Sequence, residues 1–228
     1  MTYCIGIKTN DGLVFASDSR TNAGLDNVNI YSKMMTHDVG DRTIVIVTSG
    51  NLGTSQAVYK SIEKDLNSTS GIMNLNTCND FEQIASYVGS LNIEHSSPQG
   101  INTDNVLLGS TFIVGGQIKG QQHELYLVYP QGNYIRPADS KPYLVIGEVK
   151  YGKPILDRVI KPEVSIGDAS RCALISMDST LKSDLTVGPP IDFAVHRKNA
   201  DKLVTLECLN ITDDTYSKVC NEWSEGIF

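Results

Sequence analysis

Thr2-Tyr3-Cys4-Ile5-Gly6-Ile7-Lys8, then Asn10-Asp11-Gly12, then Leu13-Val14-Phe15-Ala16-Ser17 open the chain as two short apolar runs across a turn signal. Runs of this kind joined by Asn, Asp and Gly predict a β-hairpin. The first strand starts at the second residue with no polar leader, although chain ends fray unless something holds them. Position two is therefore a candidate for chemistry as well as for packing.

Beyond the hairpin, Asn22, Gly24 and Asn27 mark a polar loop, and Thr43-Ile44-Val45-Ile46-Val47-Thr48 is dense enough in β-branched residues to predict a strand ending at Ser49-Gly50-Asn51. Leu52, Tyr59, Ile62 and Leu66 fall on one helix face, with a stop over 67–70, and Asp80 is placed to cap a second helix through Ile84, Tyr87, Val88 and Leu91. A loop is expected over 92–104. Strands are then predicted at 106–114, 124–129, 134–137 and 143–146, followed by a short helix over 153–159 and a longer one over 165–181. The longer helix carries apolar residues nearly all round, so it is expected to be covered on both sides. Strands over 191–196 and 203–209 and a polar helix over 213–224 close the chain. The order strands, helix pair, strands, helix pair, strands predicts an α+β protein in which two packed sheets lie between helical layers, an αββα sandwich forming one domain over 1–228.

Apolar residues make up 40% of the 228 and charged residues 20%, enough for a sizeable core. The net charge of −7 argues against nucleic acid as a partner, because neutralising phosphates requires clustered Lys and Arg. Cys4, Cys78, Cys172, Cys208 and Cys220 are odd in number and form no C-x-x-C pair, so reduced thiols are expected. His37, His95, His123 and His196 lack metal-ligand spacing, and the glycines around Gly115 and Gly116 are not followed by a phosphate-loop lysine. The sequence thus calls for no cofactor, no metal and no membrane segment, and a cytoplasmic location is the expectation.

The chemistry rests on a small set of residues. Removal of Met1 before a small residue such as Thr2 leaves a hydroxyl and a free α-amine on one residue. These are a nucleophile and its own general base, since an α-amine titrates at about 7.7–8.0. Asp18-Ser19-Arg20-Thr21-Asn22-Ala23-Gly24 and then Lys33 follow. Alone, such an Asp and Lys usually make a surface ion pair. Together with the opening strand, they resemble proteasome β-subunits and the HslV peptidase, N-terminal-nucleophile hydrolases. Ile146-Gly147-Glu148-Val149-Lys150-Tyr151-Gly152-Lys153-Pro154-Ile155-Leu156-Asp157-Arg158 and Ser183-Asp184-Leu185-Thr186-Val187-Gly188-Pro189-Pro190-Ile191-Asp192 are similar to those of the Anbu branch of that family. The likeness runs over essentially the whole chain.

The resemblance implies the four-layer sandwich of that family and a threonine-type peptidase. Thr2 would be the nucleophile, Asp18 would hold Lys33 beneath it, Ser19 would support them, Gly50 would donate to the oxyanion, and Asp184 would fill an acidic position near the terminal amine. It also implies a homo-oligomeric ring or spiral acting on peptides or unfolded protein, with any unfoldase unknown. Two departures stand out. Glu148 occupies a position where proteasome subunits carry a serine, and Val187 replaces another. A carboxylate beside the α-amine would favour its protonated form, so a weak or silent assembly that keeps the ancestral site is an alternative, as is an amidase for small amides.

Overall fold

The structure is a computed structural model and describes residues 1–22, 28–68, 71–96, 108–203 and 205–226. The opening hairpin forms from β1 (Tyr3–Thr9) and β2 (Gly12–Asp18), with Thr9 opposite Gly12. A small ribbon of β3 (Arg20–Asn22) and β4 (Val28–Ile30) follows, then β5 (Met34–Val39) and β6 (Arg42–Gly50). Next come α1 (Leu52–Leu66), α2 (Phe81–Ser96), β7 (Ser110–Ile118), β8 (Glu124–Val128), β9 (Tyr134–Ile135) and β10 (Tyr143–Gly147). The chain continues through α3 (Lys153–Val159), α4 (Ile166–Ser183), β11 (Ile191–Arg197), β12 (Thr205–Leu209) and α5 (Asp214–Glu225).

One sheet has the order β10-β1-β2-β11-β12 and the other β5-β6-β7-β8-β9. Cys4, Phe15, Val45, Val47, Ile113, Leu125 and Ile146 fill the space between them. The opposite face of the first sheet packs Ile5, Ile7, Val14 and Ala16 against Ala169, Ala173 and Met177 of α4. The outer face of the second packs Ile44, Ile46, Phe112 and Val114 against Val58, Ile62, Ile84 and Val88 of α1 and α2. Each fully buried aliphatic or aromatic side chain contributes about 1.5–3 kcal/mol of transfer free energy, so strands apolar on both faces are what a four-layer αββα sandwich requires. Helix α4 lies on β1 and β2 with α3 and α5 beside it, which accounts for its nearly all-round apolar pattern.

Several sequence expectations need correcting. Helix α2 runs on to Ser96, past the predicted loop start at 92, because Leu91 and Asn92 remain buried. The residues after Lys33, given no element from the sequence, form β5, paired from Met34 opposite Val47 to Val39 opposite Arg42 across a turn at Gly40 and Asp41. Its side chains are mostly half-buried, as befits an edge strand, so no alternation marks it. Gly24, the loop residues 97–104 and the strand position Val106 lie outside the described residues. Among the described residues, no helix is long and apolar enough to cross a membrane.

Candidate active site

β2 delivers Asp18 to its C-terminal end, where the carboxylate is fully buried. Its Oδ1 accepts from the Tyr3 amide at 3.0 Å and from Lys33 Nζ at 2.7 Å, and its Oδ2 accepts from the Gly188 amide at 3.3 Å. Every partner is a donor, which matches the ionised form. Burial pushes the Asp18 carboxyl up from its ordinary value, while the Lys33 ammonium and the two amides pull it back. Lys33 is itself 4% exposed, and its ammonium also donates to Arg20 O at 2.7 Å. Its backbone is fixed as well: Lys33 O accepts from Tyr59 Oη at 2.9 Å and from the Thr48 amide at 3.1 Å. The ion pair is thus tied to β1, β6 and α1.

Lys33 and Thr2 line the same open cleft, of about 300 Å³, together with Thr48, Gly50, Leu52 and Gly147. Thr2 is half-buried, and its carbonyl accepts from the Glu148 amide at 2.7 Å, so the first residues are held against the end of β10 rather than fraying. Gly147 has φ +89°, and a Cβ there would run into the Thr2 carbonyl. Only glycine permits that approach. Across the cleft, Gly50 ends β6 at φ +125°, with Gly109 O and Ser110 Cα each 3.0 Å from where its Cβ would stand. Asn51 caps α1, its Oδ1 accepting from the Thr54 amide at 3.1 Å. The turn therefore sits at a helix N-terminus, where backbone donors and the helix dipole favour negative charge. A buried ammonium and such a turn on two sides of one cleft can stabilise both a deprotonated hydroxyl and a developing oxyanion.

The remaining predicted residues occupy the surroundings. Asp184 caps α4 at its C-terminal end and accepts from the Thr186 amide at 2.8 Å and hydroxyl at 2.6 Å. Burial raises its carboxyl, but the Thr186 donors, the chain's amino group and Lys150 outweigh this and hold it below the ordinary value. That amino group is Met1's, close enough to act on Asp184 through space. Val187 is buried in the core beneath α4. Glu148 is buried, and its Oε1 turns to accept from the Lys150 amide at 2.8 Å, within its own loop. Ser19 donates to Asp192 Oδ2 at 3.3 Å, as does Ser32 at 2.7 Å.

Sequence reasoning missed four participants. Arg20 donates to Leu185 O at 2.6 Å, Gly188 lies against its guanidinium, and the Gly188 amide is an Asp18 partner. Both lie in quoted motifs, which was the available signal. Asp192 gathers Ser19, the residue after Asp18, and Ser32, the residue before Lys33, and it too closes one of those motifs. Tyr3 Oη shares a 2.6 Å hydrogen bond with Ser176 of α4, anchoring the residue that follows Thr2. Cys4, by contrast, points between the sheets, where its Sγ donates to Thr48 O at 3.4 Å and burial pushes its thiol far above the ordinary value. The four histidines take separate partners, Asn76, Ser61, Thr9 and Gln117. Among the described residues, no group of His, Cys, Asp and Glu is arranged to hold a metal ion.

Known proteins share this arrangement of elements. The family model described as proteasome subunit matches residues 2–196. No curated protein sequence matches. Among solved structures, a mutant form of Anbu from Hyphomicrobium sp. strain MC1 is 37% identical with a TM-score of 0.91, over 100% of this chain and 95% of that one. Anbu, the ancestral beta-subunit, from Yersinia bercovieri is 34% identical with a TM-score of 0.92, over 99% and 94% of the two chains. A chain from the helical assembly of the Anbu complex of Pseudomonas aeruginosa is 37% identical with a TM-score of 0.92, over 99% and 93%. With a family match across most of its length and full-length relatives above 30% identity, the chain belongs to the proteasome subunit family, in its Anbu branch.

Proposed function

We propose that this protein is a threonine-type peptidase whose nucleophile is Thr2 once Met1 is removed. The observation that carries the reading is the buried Lys33 ammonium, pinned by Asp18, in the wall of the cleft that Thr2 and Gly50 also line. A cation fixed there lowers the pKa of the neighbouring hydroxyl and α-amine, so both are more readily unprotonated near neutrality. The Thr2 hydroxyl oxygen attacks the peptide carbonyl while its proton passes to the α-amine. The C–O bond forms, and the carbonyl oxygen becomes an oxyanion received by the Gly50 amide. Collapse breaks the C–N bond, and the departing amine takes the proton from the α-ammonium. Water, activated by the same amine, then hydrolyses the ester and restores Thr2.

Asp184, whose carboxyl the chain's amino group helps to hold low, keeps the newly exposed ammonium until it is needed as a base. Ser19 supports the Asp18 turn through Asp192. The motive for a silent assembly was a carboxylate at position 148 beside the amine, and the turning of Glu148 Oε1 toward Lys150 weakens that motive. The chain acts as one domain over 1–228 and, by its likeness to the Pseudomonas aeruginosa helical assembly, as a homo-oligomer; a cytoplasmic location and peptides or unfolded chains as substrates belong to the peptidase reading itself.

Intact-mass measurement before and after a threonine-directed β-lactone tests the reading. The expected result is loss of the Met1 mass and one adduct, located on Thr2 and absent from Thr2→Ala. A protein that keeps Met1, or one that is processed and yet takes no adduct, overturns it.

A further inference from the structure

Beneath the Gly50 turn lies a buried polar network that no sequence motif marks. Thr48 Oγ1 lies 2.9 Å from Ser55 Oγ, Ser55 Oγ lies 2.9 Å from Ser110 Oγ, and Ser110 Oγ lies 2.9 Å from Asn51 O. Ser110 is fully buried, and Thr48 and Ser55 are each 2% exposed. Each hydroxyl carries one proton and has an acceptor in reach: Thr48 Oγ1 has Ser55 Oγ and Thr111 O at 3.4 Å, Ser55 Oγ has Ser110 Oγ and Asn51 O at 3.0 Å, and Ser110 Oγ donates to Asn51 O, so Ser55 and Ser110 both reach the Asn51 carbonyl. The network runs from two residues before Gly50 to one residue after it.

Ser110 is itself held from behind. Its carbonyl accepts from Asn92 Nδ2 at 2.6 Å, and its amide donates to Asn92 Oδ1 at 3.3 Å. Asn92 is fully buried in α2 and also donates to Tyr129 O at 3.2 Å. Four elements, β6, α1, β7 and α2, thus converge on a turn whose glycine, at φ +125°, is pressed against Ser110 Cα. Four polar side chains in an otherwise apolar layer are a costly way to pack it, because each must be fully satisfied. What they deliver is a fixed peptide orientation on both sides of Gly50.

We infer that Ser110, braced by Asn92 and linked through Ser55 to Thr48, is a positioning residue that aims the Gly50 amide at the oxyanion. It touches no substrate and acts through the turn. This rests on the peptidase reading above, since it assigns the means by which that site's oxyanion donor is held. Displacing a reacting geometry by about 1 Å can cost about 100-fold in rate, and removing an oxyanion donor outright costs about 10²–10³. Loosening the turn while keeping the amide is therefore expected to slow acylation by about 10- to 100-fold.

The test compares two electrophiles on the full chain. A β-lactone acylates threonine through a tetrahedral oxyanion, whereas a peptide vinyl sulfone is attacked at carbon without one. In Ser110→Ala, lactone labelling should slow by about 10- to 100-fold and vinyl sulfone labelling by less than twofold. Peptide hydrolysis should lose kcat with KM nearly unchanged, and Ser110→Cys, which keeps a weak donor, should recover part of the loss. Ser55→Ala breaks the same chain, so the double variant should be little slower than either single one. This second variant keeps the inference testable if Ser110→Ala folds poorly. Equal slowing with both electrophiles, or losses in the double variant that multiply, overturns the positioning role and leaves the peptidase reading standing. A parent protein that reacts with neither electrophile overturns both.

Discussion

Replacing Lys33 by Met tests the electrostatic core of the site without relying on any substrate. In the parent, Lys33 Nζ bridges Asp18 Oδ1 and Arg20 O at 2.7 Å each, and neither charged side chain is more than 5% exposed. Methionine fills similar volume and removes the charge, leaving the Asp18 carboxylate buried with only the Tyr3 and Gly188 amides. Breaking a buried pair in this way costs about 3–5 kcal/mol, a large share of a total stability of about 5–15 kcal/mol. The loss should depend on pH in a definite direction. Burial already raises the Asp18 carboxyl above its unfolded value, and Lys33 is the first of the groups opposing that rise. Without Lys33 the folded-state pKa climbs further. A group raised on folding is fully stabilising below its unfolded pKa of about 3.9, and that contribution is lost as pH rises through the folded value, by up to about 1.4 kcal/mol per pH unit. Urea unfolding of Lys33→Met should therefore show stability falling from about pH 4 toward neutrality. Adding Asp18→Asn should flatten that slope, because the titrating group is gone. A Lys33→Met protein that loses less than about 1 kcal/mol at pH 7, or whose stability is flat with pH, would refute the reasoning.

Two other perturbations probe separate parts of the molecule. Gly147→Ala forces a side chain into a φ of +89° and against the Thr2 carbonyl. The conformation alone costs about 1–2 kcal/mol, and the displaced Thr2 should lower peptide hydrolysis at least tenfold; unchanged hydrolysis would contradict the placement of Thr2. At the far end of the sandwich, His123 Nε2 donates to Thr9 O and His196 Nε2 meets Gln117 Oε1, each linking one sheet to the other. Burial pushes both imidazoles down, and Lys8 and Lys198 push His123 further. A histidine depressed on folding stabilises fully above its unfolded pKa of about 6.5, and that stability is lost as pH falls through the lower folded value. Tm should therefore drop between pH 7 and pH 5 with a slope that His123→Gln/His196→Gln reduces, and identical slopes in calorimetry would count against it.

Much of the fold was legible because its signals are local. The Asn10-Asp11-Gly12 turn, the β-branched run over 43–48 and the all-round apolar α4 each state their environment within about 20 residues. The edge strand β5 was not legible, since half-buried side chains and pairing on one side leave no alternation to read. The site divides in the same way. Thr2, Asp18, Lys33 and Gly50 could be picked out because they lie in short motifs with a known resemblance, and the structure gathers them around one cleft. Asn92 and Ser110 could not, because each matters only through partners 18 to 59 residues away in sequence. Glu148 was legible in part. The motif places it next to the chain's start, but its burial and the bond of its Oε1 to the Lys150 amide depend on the φ of Gly147 and the path to Lys150, which no local pattern encodes.

The ion pair also explains why these features belong together. A buried salt bridge is weak as a stabilising device, because desolvating two charges costs as much as their attraction returns, and well-packed apolar residues of the same volume usually do as well or better. Here the cost is met by an unusually complete set of donors: Tyr3, Gly188 and Lys33 on Asp18, with Arg20 O taking a second Lys33 proton. Those donors come from β1, from the loop before β11 and from the loop between β4 and β5, so satisfying the carboxylate fixes the start of β1 against the two loops that border the cleft. The residue just before Tyr3 is Thr2. Holding Asp18 ionised and holding Thr2 in register are thus one structural event. A chain selected only for stability could have filled the same space with Leu and Met, whereas a chain that needs a fixed ammonium in the wall of the cleft beside Thr2 could not.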